Sequence, residues 1–122
     1  MTTKVEALLE RRPDCEFRVV MSPEQCAQFN GCGFVAIERI MPDEEIAWLD
    51  EVYDCLFEQR AQPVPGGYFD LSRPYDSPGE DLQPQIIVPE VQYGQLRRTS
   101  FWRNGRAIAA QLLGVDAKQL RG

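Results

Sequence analysis

The stretch FNGCGFVAIERIMPDEEIAWL, residues 29–49, decides the fold prediction, because the residue pattern changes three times within it. Asn30 and Gly31 follow a short helical pattern, and such residues often close a helix in the left-handed conformation. The apolar run at residues 34–38 then predicts a strand. Pro42 and three acidic residues open a longer helix, since proline suits its first turn and carboxylates suit the positive end of its dipole.

The longer helix is the most regular element of the chain. Its apolar side chains recur at spacings of three and four, which predicts one buried face. We expect that face to comprise Ile46, Leu49, Tyr53, Leu56 and Phe57, widened by Trp48 and Val52. The opposite face, with Glu44, Asp50, Glu51, Asp54 and Glu58, is expected to be solvated rather than catalytic.

Four further elements are predicted, three helices and one strand. Residues 3–12 form a short helix that Pro13 ends, and residues 23–30 form a second, with Ser22 and Gln25 as a capping box. Residues 85–88 form a second short strand. Residues 100–113 form the last helix, capped by Thr99 or Ser100 and ended by Gly114, with an apolar face of Phe101, Ile108, Ala109, Leu112 and Leu113.

Residues 61–85 are rich in proline and glycine and predict a long loop, which is either disordered or a functional lid. Its aromatic residues favour a loop that lies over a larger body, because they need packing partners. Residues 1–21 are expected to be an N-terminal extension, and residues 22–122 to be one α+β domain portion.

Composition limits the possible functions. A net charge of −6 argues against nucleic acid, and Arg97, Arg98, Arg103 and Arg106 are expected to form a solvated face rather than an anion site. The four cysteines have no zinc-site spacing and are expected to be reduced, buried thiols, with a metal or redox role as the alternative. The absence of a membrane-length apolar run and of a secretory signal favours a cytoplasmic protein. The absence of histidine excludes a histidine-based nucleophile or metal site within this chain.

Two short strands make no stable sheet alone. The elements therefore predict the outer layer of a larger α+β fold, with residues 34–38 as an edge strand whose partner strands lie outside this sequence.

The order of three motifs resembles the N-terminal part of the phytanoyl-CoA dioxygenase family. These motifs are NGCGFVAI at residues 30–37, MPDEE at 41–45 and AIAAQLLG at 107–114. The resemblance covers roughly residues 23–122, loosely in the loop. It implies a double-stranded β-helix oxygenase, in which an H-x-D…H triad holds Fe(II) and open positions take 2-oxoglutarate and dioxygen.

This chain departs from the family pattern, because without histidine it has no triad, and no 2-oxoglutarate residue is assigned. It is therefore expected to be inactive alone and to hold no cofactor itself: a truncated piece, the N-terminal part of a longer polypeptide, or the product of a shortened gene. By resemblance, Tyr68, Phe69 and Tyr75 could touch substrate from the loop; the alternative is that they only pack the loop in place.

Two partners follow from these expectations: the remainder of the oxygenase fold, or another protein on the apolar helix faces. The second makes the chain a small non-catalytic interaction module. A complete cysteine- or carboxylate-based enzyme is the least favoured of the three interpretations. A cysteine nucleophile needs a base, the chain has no histidine, and its two lysines, Lys4 and Lys118, lie near the ends.

Overall fold

The computed structural model describes residues 3–74 and 77–121. Within these ranges the fold is mostly helical, with one pair of short antiparallel strands. No helix there has both the length and the apolar character needed to cross a membrane.

The first two helices begin where their capping residues predict. Helix α1, Lys4–Glu10, starts with a capping box in which the Thr3 hydroxyl accepts from the Glu6 amide at 3.1 Å. Helix α2, Pro23–Cys32, has the predicted box from Ser22 and Gln25. It runs through Asn30 and Gly31 and ends at Gly33, which takes the left-handed conformation with φ +80°. The predicted stop was therefore two residues early.

Helix α3, Asp43–Glu58, confirms the longer helix, but its buried face is rotated from the predicted one. Ile46 and Tyr53 are 41% and 59% exposed. Trp48, Val52 and Leu56 of the predicted face are confirmed as buried, and they are joined by Glu45 and Cys55, which were not part of it. Apolar spacing alone cannot separate two overlapping stripes on one helix, and the neighbouring segments select between them.

The strand predicted at residues 34–38 is wrong, because these residues lie in neither a helix nor a strand. The first strand is β1, Tyr68–Asp70, inside the predicted loop, and it pairs with β2, Pro84–Ile86. The pairing is antiparallel, with Phe69 opposite Gln85. A strand needs a hydrogen-bonded neighbour, which the loop residues find in β2 and residues 34–38 do not find in the described chain.

The chain forms two compact units. Unit 1 comprises the described residues of Met1–Pro13 and Ala47–Arg97, and unit 2 those of Asp14–Ile46 and Arg98–Gly122. The segment expected to be an N-terminal extension thus contributes to both.

Unit 1 encloses its own hydrophobic core. Helix α1 and the larger part of α3 supply most of it. Tyr93, between the short helix α4, Pro89–Gln92, and the 3-10 helix Gly94–Arg98, is buried in it, and Leu96 packs against it. The Trp48 indole also donates to the Leu8 carbonyl at 2.7 Å in this core. The buried members are Val5, Leu8, Leu9, Trp48, Val52, Cys55, Leu56, Ala61 and Tyr93.

Unit 2 is organised around helix α5, Ser100–Leu113, which Thr99 caps and left-handed Gly114 ends. The predicted apolar face of α5 is only partly the buried one: Phe101 is 49% exposed and Leu113 is 58% exposed. The buried residues of α5 are Ser100, Asn104, Ile108 and Ala110. A second 3-10 helix, Ala117–Gln119, follows, and its Ala117 carbonyl accepts from Arg106 at 2.8 Å.

Candidate functional site

The predicted substrate-side residues begin with Tyr68, whose hydroxyl is engaged inside unit 1. It donates to the Asp81 carboxylate at 2.7 Å, and Arg73 and Arg60 pair with the same carboxylate at 2.6 and 3.0 Å. Burial, followed by the bond to Asp81, raises the pKa of Tyr68. Its ring also lies edge-on to Phe57, at 6.5 Å between centroids. These contacts hold Tyr68, and with it this part of the loop, in place.

The other two predicted residues are placed less informatively. Phe69 is half-buried. Because it follows Tyr68 directly in β1, the two side chains point to opposite faces of the strand pair. Tyr75 lies outside the described residues. A role for these residues toward a substrate stays a prediction.

Asp70 gives the same loop a second fixed point. Its carboxylate accepts from the Ser72 hydroxyl, from the Ser72 amide at 2.7 Å and from the Gln83 amide at 2.9 Å. These bonds, led by the Ser72 hydroxyl, lower the pKa of Asp70 to about 2. The carboxylates of Asp70 and Asp81 thus fix residues within the segment that was predicted as a disordered loop or a functional lid.

An iron centre of the implied kind does not fit the residues present. Across residues 3–74 and 77–121, no group of three His, Cys, Asp or Glu side chains is arranged to hold a metal ion. The whole chain has no histidine. No chemical step through iron or 2-oxoglutarate can be assigned to these residues.

The candidate binding surface for a ligand or partner lies in unit 2, at residues 34–39. Within the described chain, no backbone hydrogen bond joins these residues to another main-chain group. Phe34 is 63% exposed at the start of this segment, directly after left-handed Gly33. Unpaired main-chain groups beside exposed apolar side chains are a template for pairing with another strand. We call residues 34–39 the unpaired segment.

An apolar groove of about 480 Å³ adjoins the unpaired segment. Its walls include Ile37 from that segment, Ile40 directly after it, Ile46 in the first turn of α3, and Gly105 and Ile108 from α5. We call it the docking groove. A Cβ atom built on Gly105 would meet no atom within 4 Å, so the groove is open above the helix at this point.

Asn104 fixes the end of the unpaired segment against α5. Its side-chain amide donates to the Phe17 carbonyl at 2.8 Å and to the Ile40 carbonyl at 2.6 Å. Asn104 is 4% exposed, so both bonds are shielded from water. Sequence reasoning missed this residue, although a polar residue between Ser100 and Ile108 at helical spacing is a recognisable signal of a buried amide.

Glu45 was predicted only to stabilise the N-terminus of α3, but its carboxylate also accepts a hydrogen bond at the N-terminus of α5. Its side chain is fully buried, and Oε1 accepts from the Phe101 amide at 3.2 Å. A carboxylate suits the unsatisfied amides and positive dipole of a helix N-terminus. Oε2 and the Ser100 hydroxyl are buried without a hydrogen-bond partner in the described structure.

The surroundings of Cys15 make this thiol a poor nucleophile. Its thiol donates to the Glu44 carboxylate at 3.0 Å. This bond, followed by burial, raises the pKa of Cys15 to about 11, so the thiolate is scarce at neutral pH. Cys55 is also buried, but Cys26 is half-buried and Cys32 is exposed, so the expectation of buried thiols is confirmed at two of the four positions.

Comparison with known proteins adds no relative. No family model matches the chain, and no curated protein or solved structure matches it either. The geometry of the unpaired segment and docking groove therefore carries the functional argument.

Proposed function

We propose that this chain is a non-catalytic protein-binding layer whose unpaired segment pairs with a strand of another polypeptide region. The single observation that carries the proposal is the absence of backbone partners for residues 34–39 in the described chain. The adjacent docking groove supplies apolar surface that the same strand would cover. This is the physical pattern of β-strand addition, in which main-chain bonds give affinity and pockets give specificity.

We further propose that the covering region is the sheet of a phytanoyl-CoA-dioxygenase-like hydroxylase. The support is the resemblance of residues 30–37, 41–45 and 107–114 to that family. These motifs include the unpaired segment and part of α5, which are the elements that border the docking groove. The metal triad would then come from outside this sequence, because this chain has no histidine.

The identity of the covering region is tested by isolating the tagged chain from its source cells and sequencing every polypeptide recovered with it in stoichiometric amount. The expected result is an H-x-D…H sequence, either in the same polypeptide or in the partner. Recovery of the chain alone as a monomer contradicts the proposal, and a stoichiometric partner without that triad restricts it to strand addition.

The binding mode is tested with two matched substitutions on the recovered complex. Phe34 and Leu71 are both 63% exposed, but only Phe34 belongs to the unpaired segment. We expect Phe34→Glu to weaken the complex at least tenfold and Leu71→Glu to leave it unchanged. Hydrogen exchange gives an independent measure: amides 34–39 should exchange freely in the isolated chain and become protected in the complex. Equal effects of the two substitutions would refute this docking surface.

The second candidate is a stand-alone interaction module whose partner is unrelated to oxygenases. The observation that favours it is the closed core of unit 1, which needs no further layer. Thermal unfolding of the isolated chain distinguishes the candidates. A sharp cooperative transition favours the module, whereas a compact state that binds hydrophobic dyes and lacks a transition favours a layer that depends on its partner.

A further inference from the structure

A second concave site lies on α5 beside the docking groove, with a volume of about 350 Å³. Phe101 and Trp102 line it from the first turn of α5, and Gly105 and Arg106 from the next. Leu120 and Arg121 line it from the segment that follows the last 3-10 helix. We call it the α5 pocket; all of it belongs to unit 2.

The charge of the α5 pocket is opposite to that of the chain. The protein carries a net charge of −6, yet this pocket has two arginines and, among its described lining residues, no aspartate or glutamate. Arg106 is oriented by its bond to the Ala117 carbonyl at 2.8 Å, which uses one of the five N–H donors of a guanidinium group. Arg121 is exposed and makes no ion pair or side-chain hydrogen bond with the described residues.

The rest of the lining is apolar and partly aromatic. A Cβ atom built on Gly105 would meet nothing within 4 Å, so the pocket is open above the helix backbone at this residue. A methyl group fits into this space, whereas a larger side chain would fill part of the pocket.

From this combination we propose that the α5 pocket binds a small carboxylate carried on a flat apolar body. The two guanidinium groups match a carboxylate through charge-assisted hydrogen bonds, and the ring-lined floor takes the apolar body. The volume lies at the lower end of the roughly 300–1,000 Å³ typical of ligand sites. It suits one or two fused rings and is too small for a dinucleotide. The α5 pocket shares Ile40 and Gly105 with the docking groove, but its two arginines belong to the pocket alone, so the carboxylate proposal does not rest on strand addition.

The probe is 2-naphthoate, titrated into the isotopically labelled full chain and followed by amide and indole NMR shifts. We expect shifts confined to Gly105, its α5 neighbours and the Trp102 indole. A ligand of about 13 non-hydrogen atoms at drug-like efficiency predicts a Kd on the order of 1 mM. The neutral isostere 2-naphthamide should bind about tenfold more weakly, since it lacks the charge that the arginines recognise.

Two pairs of variants separate the site from general effects. Arg121→Gln should weaken naphthoate binding by about fivefold to tenfold, whereas Arg11→Gln, which removes the same charge from exposed surface of unit 1, should not. Gly105→Leu should abolish binding by filling the floor, whereas Gly105→Ala should retain it.

The proposal is overturned by any of three results: no saturable shift below about 10 mM naphthoate, equal affinity for naphthoate and naphthamide, or equal effects of Arg121→Gln and Arg11→Gln. If Gly105→Leu fails to fold, the arginine pair still decides the question.

Discussion

Asn104→Ala is expected to destabilise unit 2 and to release the end of the unpaired segment. The substitution removes two shielded hydrogen bonds, of 2.8 Å to the Phe17 carbonyl and 2.6 Å to the Ile40 carbonyl. A typical bond of this kind contributes roughly 1–1.5 kcal/mol, and an acceptor left without a partner costs more when it stays buried. Both carbonyl residues are half-buried, so water can reach part of the vacated space.

These contributions add to about 2–3 kcal/mol of lost stability. Alanine is a better helix former than asparagine by roughly half a kcal/mol, which offsets a small part. The net expectation is a loss of about 2 kcal/mol. With a urea m-value of roughly 2 kcal/mol/M, the unfolding midpoint should fall by about 1 M.

The tryptophans allow each unit to be observed separately, because Trp48 belongs to unit 1 and Trp102 to unit 2. In a Trp48→Phe background, Trp102 fluorescence reports the urea transition of unit 2. Asn30→Ala is the matched control, since Asn30 is exposed on α2 and makes no hydrogen bond with its side chain in the described chain. A shift below about 0.5 kcal/mol, or one equal to that of Asn30→Ala, would refute the reasoning.

Three further outcomes are expected. Leu9→Ala should destabilise unit 1 by about 2–5 kcal/mol in urea unfolding, because Leu9 is 2% exposed in its core; a loss below 1 kcal/mol would contradict this packing. The pKa of Asp70 is lowered to about 2, so the stability it contributes is complete above its unfolded pKa near 4 and is lost as the pH falls toward 2. Asp70→Asn should therefore flatten the acid limb of Trp48-detected unfolding, and an unchanged limb would exclude the carboxylate as its source. Iodoacetamide at pH 8 should label exposed Cys32 well before Cys15, whose pKa is raised to about 11; comparable rates by peptide mass mapping would contradict the buried thiol–carboxylate bond.

The candidate site was predictable only in part. The sequence drew attention to residues 34–38 as an apolar run in need of a strand partner, and the structure leaves that run without one. The residues that shape the surface around it escaped prediction. Asn104 donates to the carbonyl groups of Phe17 and Ile40, which lie 87 and 64 positions away in the sequence. No local sequence pattern predicts such pairs.

The sequence by itself determined where three helices begin and where α5 ends. Thr3, Ser22 and Thr99 cap three helices, and Gly33 and Gly114 close two of them in the left-handed conformation. Capping is a local interaction, since its donor and acceptor lie within four residues of each other.

Only the tertiary structure decided which faces are buried and which segments pair. Helix α3 buries Glu45 and exposes Ile46, although the polarity of the two side chains favours the reverse. Residues 68–70 became a strand and residues 34–38 did not, because a strand exists only where another segment supplies its hydrogen bonds. Burial and pairing depend on distant parts of the chain, whereas a helix cap depends on its own neighbours, and this difference in range separates what could be read from the sequence from what could not.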